Sequence, residues 1–189
     1  MLYLASQSPR RRELLEQIGI AFGLLDVDVP EQRLPGEPPI DYVSRVAREK
    51  AGAGLLQVMS NGTAVVLGAD TEVVLDDVVY GKPADADDAA RMLRELSGKT
   101  HRVISAVWLL NAGNEQHAVC ESLVRFKSLS DQEISRYIES KECFGKAGAY
   151  AIQGRAASFI EHLEGSHSCV MGLPLFETSQ LLKKFGITV

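Results

Sequence analysis

The chain has little cysteine, and what it has is scattered. Cys120, Cys143 and Cys169 are odd in number and include no Cys-x-x-Cys pair, which argues against a disulfide framework and a structural zinc site. No apolar run approaches the roughly 20 residues that a membrane helix needs. The arginines that begin at Arg10 come too early for the apolar region of a secretory signal peptide. Positive charge is not in excess: 25 Asp and Glu stand against 20 Lys and Arg, a net charge of −5. That balance disfavours binding to a nucleic acid polymer, as does the lack of an aromatic stacking platform in any basic region. The expectation is a cytoplasmic globular protein that handles neither membrane nor nucleic acid polymer.

What is present suits a well-packed fold. Hydrophobic residues make up 46% of the 189 and charged residues 24%, enough apolar material for one sizeable core. Residues 2–5 read as a short buried strand. Ser8 is placed to cap the following helix, with Pro9 at its first position, Leu14, Leu15 and Ile18 as its buried stripe and Gly19 at its end. A second strand is expected over 20–29. A helix over about 40–59 carries Val43, Val46, Ala47 and Ala51 on one face, and its Gly52 and Gly54 weaken the second half. Residues 64–75 form the most apolar strand, turning at Asp76-Asp77 into 78–80. A helix over about 85–96, strands over 102–110 and 117–128, and a capping box at Ser130-Asp131-Gln132-Glu133 follow. A Gly-rich loop over 145–154, a strand near 157–163 and a helix over 173–185 complete the chain. No repeat or linker interrupts it. The reading is a single α/β domain over residues 1–189, with a mixed twisted sheet, flanking helices and two lobes around a deep cleft.

Three stretches carry candidate chemistry. LASQSPRRRE at 4–13 sends a strand into a capped helix, whose first N–H groups and dipole make an anion site. Arginines there oppose the dipole, a conflict that a bound phosphate would remove; the alternative is a solvated basic turn. In LGADTE at 67–72, Asp70 interrupts an apolar strand and needs a partner, water or metal. It serves catalysis, or it caps a helix or pairs with an arginine. KAGAYAIQG at 146–154 surrounds one cation, one phenol and one amide with small residues, which suits the edge of a flat ligand or simply a tight crossover. Lys82 reads as a surface residue by itself, and Glu49-Lys50 as an ordinary exposed pair.

The ordered motifs resemble one family over nearly the whole chain. SxSPRR, REKA at 48–51, GADT at 68–71, GKP at 81–83, SGKTH at 97–101, KAGAYxIQG at 146–154 and GLP at 172–174 are similar to the Maf family of nucleotide pyrophosphatases, first associated with septum inhibition. Among its subgroups the chain looks most like the dTTP/UTP pyrophosphatases, because Arg10, Thr71 and Gln153 occupy the positions that set substrate specificity there. The resemblance implies a fold similar to the inosine triphosphate pyrophosphatases, a homodimer and a divalent metal cofactor, Mg or Mn. It implies Asp70 as general base, with Arg11, Lys50 and Lys82, and also Arg10, as candidates for the phosphates. Asp70 and Glu31 are the metal-ligand candidates, and Gln153 suits the edge of uracil or thymine. The expected reaction takes dTTP, UTP or modified pyrimidine nucleotides to the monophosphate and pyrophosphate.

The chain departs from the family pattern at three places. Gly145 stands where relatives usually carry an aspartate, Glu72 where they carry an apolar residue, and His167-Ser168-Cys169 replaces an aromatic-containing stretch. Gly145 keeps open a second reading: a catalytically weak nucleotide-binding regulator of cell division.

Overall fold

A computed structural model describes residues 1–188. The elements follow in the order β1 (Leu2–Ala5), α1 (Pro9–Gln17), β2 (Phe22–Leu25), α2 (Pro39–Gln57), β3 (Val65–Leu75), β4 (Val78–Tyr80), α3 (Ala86–Leu96), β5 (Thr100–Leu110) and β6 (Glu115–Phe126). After these come α4 (Asp131–Glu139), 3₁₀ turns at Ala147–Ala149 and Arg155–Phe159, β7 (Ile160–Glu164), α5 (His167–Met171) and α6 (Leu175–Lys184). Seven strands form one mixed sheet in the order β2-β1-β3-β5-β6-β7, with β4 paired to β3. The pairs β1–β2 and β1–β3 are parallel, whereas β3–β4 and β6–β7 are antiparallel. The α/β class and the mixed sheet flanked by helices agree with the sequence reading.

The chain divides into two compact units. The first holds Met1–Thr71, Ser105–Cys120 and the residues from Gly172 on; the second holds Glu72–Ile104 and Glu121–Met171. In the first unit, β1 and the opening half of β3 are buried almost throughout, as are Leu14 and Leu15 of α1 and Val43, Val46, Ala47 and Ala51 of α2. Ile18, expected in the buried stripe of α1, is only half-buried. The helix α2 continues unbroken through Gly52 and Gly54. Gly54 is there for packing: a Cβ at this position would come within 2.8 Å of the Ala5 Cβ and 2.9 Å of Val66 Cγ1. Such an approach requires the smallest residue.

The second strand stops at Leu25 rather than reaching residue 29. Its partner β1 ends at Ala5, which pairs with Leu25, so later residues have no ladder to join. Ser8 occupies the N-cap position of α1 with extended backbone, but its side chain makes no capping bond. Its own N–H donates instead to Ser6 Oγ at 3.2 Å.

The second unit packs α3, α4, the 3₁₀ turns and β7 around one cluster that includes Leu93, Leu96, Val124, Phe126, Tyr137, Tyr150 and Phe159. Asp85 caps α3 by accepting from the Asp88 N–H at 2.8 Å. Ser130 and Glu133 form the reciprocal capping box read from the sequence. Asp76 and Asp77 both take positive φ, 49° and 62°, as a two-residue hairpin turn demands. The strand expected near 157–163 begins only at Ile160, after the 3₁₀ turn, and the short helix α5 was not legible in advance.

Candidate active site

The site builds on β3 and on the helix that lies against it. Alternation along a strand sends Gly68 and Asp70 to the same face. A Cβ at Gly68 would run into the Ala47 carbonyl oxygen and would lie 2.5 Å from the Ala51 nitrogen. The missing side chain therefore lets the α2 backbone settle on the strand. Lys50, adjacent to Ala51, is carried with it, and its Nζ reaches Asp70 Oδ1 at 2.7 Å. The same Nζ lies 2.6 Å from Glu31 Oε1, in the loop before α2.

Asp70 and Lys50 are both buried, at 4% and 8% exposure, whereas the Glu31 side chain keeps 32%. Lys50 is thus not the surface residue read from the pair Glu49-Lys50. Glu49 is exposed and bonds Arg45, while Lys50 turns inward to two carboxylates. The reason is helical spacing: Val43, Val46, Ala47, Lys50, Ala51 and Gly54 form one buried stripe. An aspartate in the middle of an apolar strand signalled the need for a partner, water or metal, and the partner observed is a lysine rather than the arginine weighed from the sequence.

One ammonium between two carboxylates leaves local negative charge, and Asp70 Oδ2 is buried with no hydrogen-bond partner. An unsatisfied buried carboxylate oxygen is costly. It also has a free lone pair for a proton or a cation. Among the described residues no group of three His, Cys, Asp or Glu side chains could hold a metal. The donor set of Asp70 with Glu31 fits magnesium-type binding, in which one or two carboxylates are completed by substrate phosphates and water.

Arg11, Thr71 and Gly172 form a second cluster in the same unit. Arg11 is buried, and its guanidinium donates to the Gly172 carbonyl at 2.8 Å, to Ser6 Oγ at 3.1 Å and to Thr71 Oγ1 at 3.3 Å. Thr71 Oγ1 also lies 2.7 Å from Ser105 Oγ and donates to the Gly172 carbonyl at 3.3 Å. Neighbours on β3, Asp70 and Thr71 serve different partners. Ser6 opens the motif SxSPRR but was given no role from the sequence, and Ser105 was not singled out. Arg10 is half-buried at the first turn of α1.

Lys82 and Gln153 belong to the second unit, and both are exposed. Gln153 sits in the turn that the Gly154 N–H closes by donating to the Ala151 carbonyl at 3.0 Å. Lys146 Nζ donates to the Phe144 carbonyl at 3.0 Å. Gly145 has φ +68°, and no atom lies within 4 Å of where its Cβ would be. Glycine here satisfies the backbone, and the aspartate expected from the family pattern would tolerate the same left-handed conformation better than most residues. In the same unit His101, from the motif SGKTH, is 1% exposed; its Nε2 lies 2.9 Å from Tyr150 Oη, and its ring meets Phe126 edge to face. Burial lowers its pKa from the usual 6.5 to about 4.

A β-strand carboxylate held by a buried lysine, with one buried oxygen lacking a hydrogen-bond partner, is a candidate acid–base centre in an α/β protein. Residues 1–185 match the profile of the Maf-like proteins, and the chain belongs to that family. It is 57% identical over 188 residues to the dTTP/UTP pyrophosphatase of Xanthomonas axonopodis pv. citri, covering 98% of this chain and 99% of that protein. It is 53% identical to the dTTP/UTP pyrophosphatase of Ralstonia nicotianae, covering 100% and 95%. Similarity extends to the nucleoside triphosphate pyrophosphatase of Xylella fastidiosa, at 54% identity and 98% of each chain.

Proposed function

We propose that this protein is a nucleoside triphosphate pyrophosphatase that hydrolyses dTTP and UTP to the monophosphate and pyrophosphate. The observation that carries the chemistry is Asp70: its Oδ1 is bound by Lys50 while its buried Oδ2 has no hydrogen-bond partner. Water attacks the α-phosphorus, its proton passes to Asp70 Oδ2, and the bond from the α-phosphorus to the bridging oxygen breaks. Pyrophosphate leaves with that oxygen. Lys50 fixes the carboxylate so that it meets the water in one orientation, which is the usual condition for efficient general-base catalysis.

A magnesium or manganese ion held by Asp70 and Glu31 would neutralise phosphate charge as the leaving group departs. Arg10 and the N-terminus of α1, where Ser8 leaves the first N–H groups uncapped by its side chain, suit the triphosphate. Arg11 and Lys50 direct their donors to protein acceptors, so their influence on phosphate is through the electrostatic field rather than through every hydrogen bond. The roles of Lys82 toward phosphate, and of Arg10, Thr71 and Gln153 in substrate choice, rest on the family resemblance. So do the single functional domain, the homodimer and modified pyrimidine nucleotides as further substrates. A cytoplasmic location belongs to the same proposal, and no helix among the described residues is long and apolar enough to cross a membrane.

A panel of nucleoside triphosphates, standard and modified, assayed with magnesium or manganese for pyrophosphate release, tests this reading. UTP and dTTP should be hydrolysed well, CTP less, and purine triphosphates poorly. Nucleotide binding without turnover across the whole panel would favour the regulator instead.

A further inference from the structure

The Gln153 side chain is exposed, and its backbone sets the point from which the amide reaches out. That backbone is held on both sides. Two residues before it, the Ala151 N–H donates to Tyr137 Oη at 3.1 Å. Two residues after it, the Arg155 N–H donates to Glu142 Oε2 at 2.8 Å. Tyr137 is 3% exposed on α4, and Glu142 lies in the turn just past it. Ser140 Oγ donates to the Tyr137 carbonyl at 2.6 Å and accepts from the Glu142 N–H at 3.4 Å. Both clamps therefore come from the C-terminal end of one helix. Gly154 completes the arrangement, because a Cβ there would collide with Glu142 Oε2. The Arg155 guanidinium adds a looser contact to Glu142 at 3.7 Å.

We infer that Glu142 and Tyr137 are positioning residues for base selection: they hold the 151–155 turn, and with it the Cα from which the Gln153 amide reaches the base, in one place. The inference rests on the reading that Gln153 meets the pyrimidine edge. A charged acceptor on a backbone N–H is a strong hydrogen bond, and it fixes the turn without touching the ligand. A fixed starting point matters because a turn free to shift would let the amide adjust its reach to uracil or cytosine alike. Preorganisation of this type acts on discrimination between ligands rather than on the reacting atoms.

The test compares kcat/KM for UTP and CTP in wild type, Gln153→Ala, Glu142→Ala, Glu142→Gln and Tyr137→Phe, with thermal melts to show that each variant is folded. Gln153→Ala should narrow the UTP preference. Glu142→Ala and Tyr137→Phe should narrow it by roughly 2- to 10-fold each, the worth of one hydrogen bond, through KM and with kcat on UTP little changed. Glu142→Gln keeps an acceptor oxygen and should restore most of the preference. If Gln153→Ala narrows the preference while Glu142→Ala and Tyr137→Phe do not, the positioning role is wrong and the reading of Gln153 stands. If Gln153→Ala leaves the preference intact, both fall. Should Tyr137→Phe unfold the protein, the comparison of Glu142→Ala with Glu142→Gln decides alone.

Discussion

Lys50 Nζ stands 2.7 Å from Asp70 Oδ1, and the closeness of the two residues depends on a third that has no side chain. Gly68 lies two residues before Asp70 on the same face of β3, beneath the α2 backbone at Ala47 and Ala51. Glycine at that position lowers the helix onto the strand and delivers the lysine. The two motifs are thus coupled by packing: Gly68 admits the α2 backbone at Ala47 and Ala51, and that approach brings Lys50 to Asp70.

Gly68→Ala should therefore cost both stability and activity. The added methyl meets backbone atoms that cannot rotate away, and overpacking of this type costs about 1–3 kcal/mol. Urea unfolding and pyrophosphate release, measured on the same preparation, check it. Full activity would show that Lys50 does not need its present approach to Asp70.

Asp70→Asn should lower turnover on the order of 10²- to 10⁴-fold, the usual effect of losing a general base, while the protein stays folded. Lys50 retains Glu31 as its counter-charge, so no buried cation is left alone. Nucleotide binding, read by a shift in thermal melting with a non-hydrolysable analogue, should persist. Near-normal turnover would move the base elsewhere, with Glu31 or Glu72 next in line.

The two neighbouring arginines should behave differently. Arg11→Ala removes donors from Ser6, Thr71 and the Gly172 carbonyl and should destabilise the free protein by about 2–5 kcal/mol. Arg10→Ala relieves a cation in the first turn of α1 and should be neutral or slightly stabilising without ligand, yet weaken triphosphate binding. Melting curves with and without nucleotide separate the two. Equal stability losses would place Arg10 in a structural role.

Acid should destabilise the fold through His101. Burial holds its pKa at about 4 against 6.5 for the exposed group, so the unfolded chain binds the extra proton first. Stability is fully present above pH 6.5 and is lost as pH falls from there toward 4, by about 2 kcal/mol at pH 5. Glu37 and Glu133, whose pKa values are lowered to about 2 by bonds to Arg45 and Lys127, act in a separate window. Their contribution is present above about 4.5 and disappears as pH falls toward 2. Urea unfolding at pH 7 and pH 5 should show a larger loss in wild type than in His101→Gln. An equal loss in both would remove His101 as the source.

Much of this was legible because the signals were local. Ser130 and Glu133 spell a capping box, Asp76-Asp77 a tight hairpin, and Asp70 an expensive residue in an apolar strand. Lys50 was misread because an isolated Glu-Lys pair carries no sign of which way a helix faces. Only the stripe from Val43 to Gly54 shows it, and Lys50 lies on that stripe. The end of β2 depended on where its partner stopped, which residues 20–29 do not encode. Likewise Ser105 owes its role to Thr71 on another strand, and Ser6 and Glu142 bond Arg11 and the Arg155 N–H in ways that their types alone do not mark.

The position of attack tests the central claim most directly. Hydrolysis of UTP in heavy-oxygen water, with magnesium or manganese present, should place the label in UMP and none in pyrophosphate, and Asp70→Asn should slow the reaction on the order of 10²- to 10⁴-fold. Label in released inorganic phosphate or in pyrophosphate would contradict attack at the α-phosphorus, and unchanged labelling of UMP at wild-type rate by Asp70→Asn would contradict the role of Asp70.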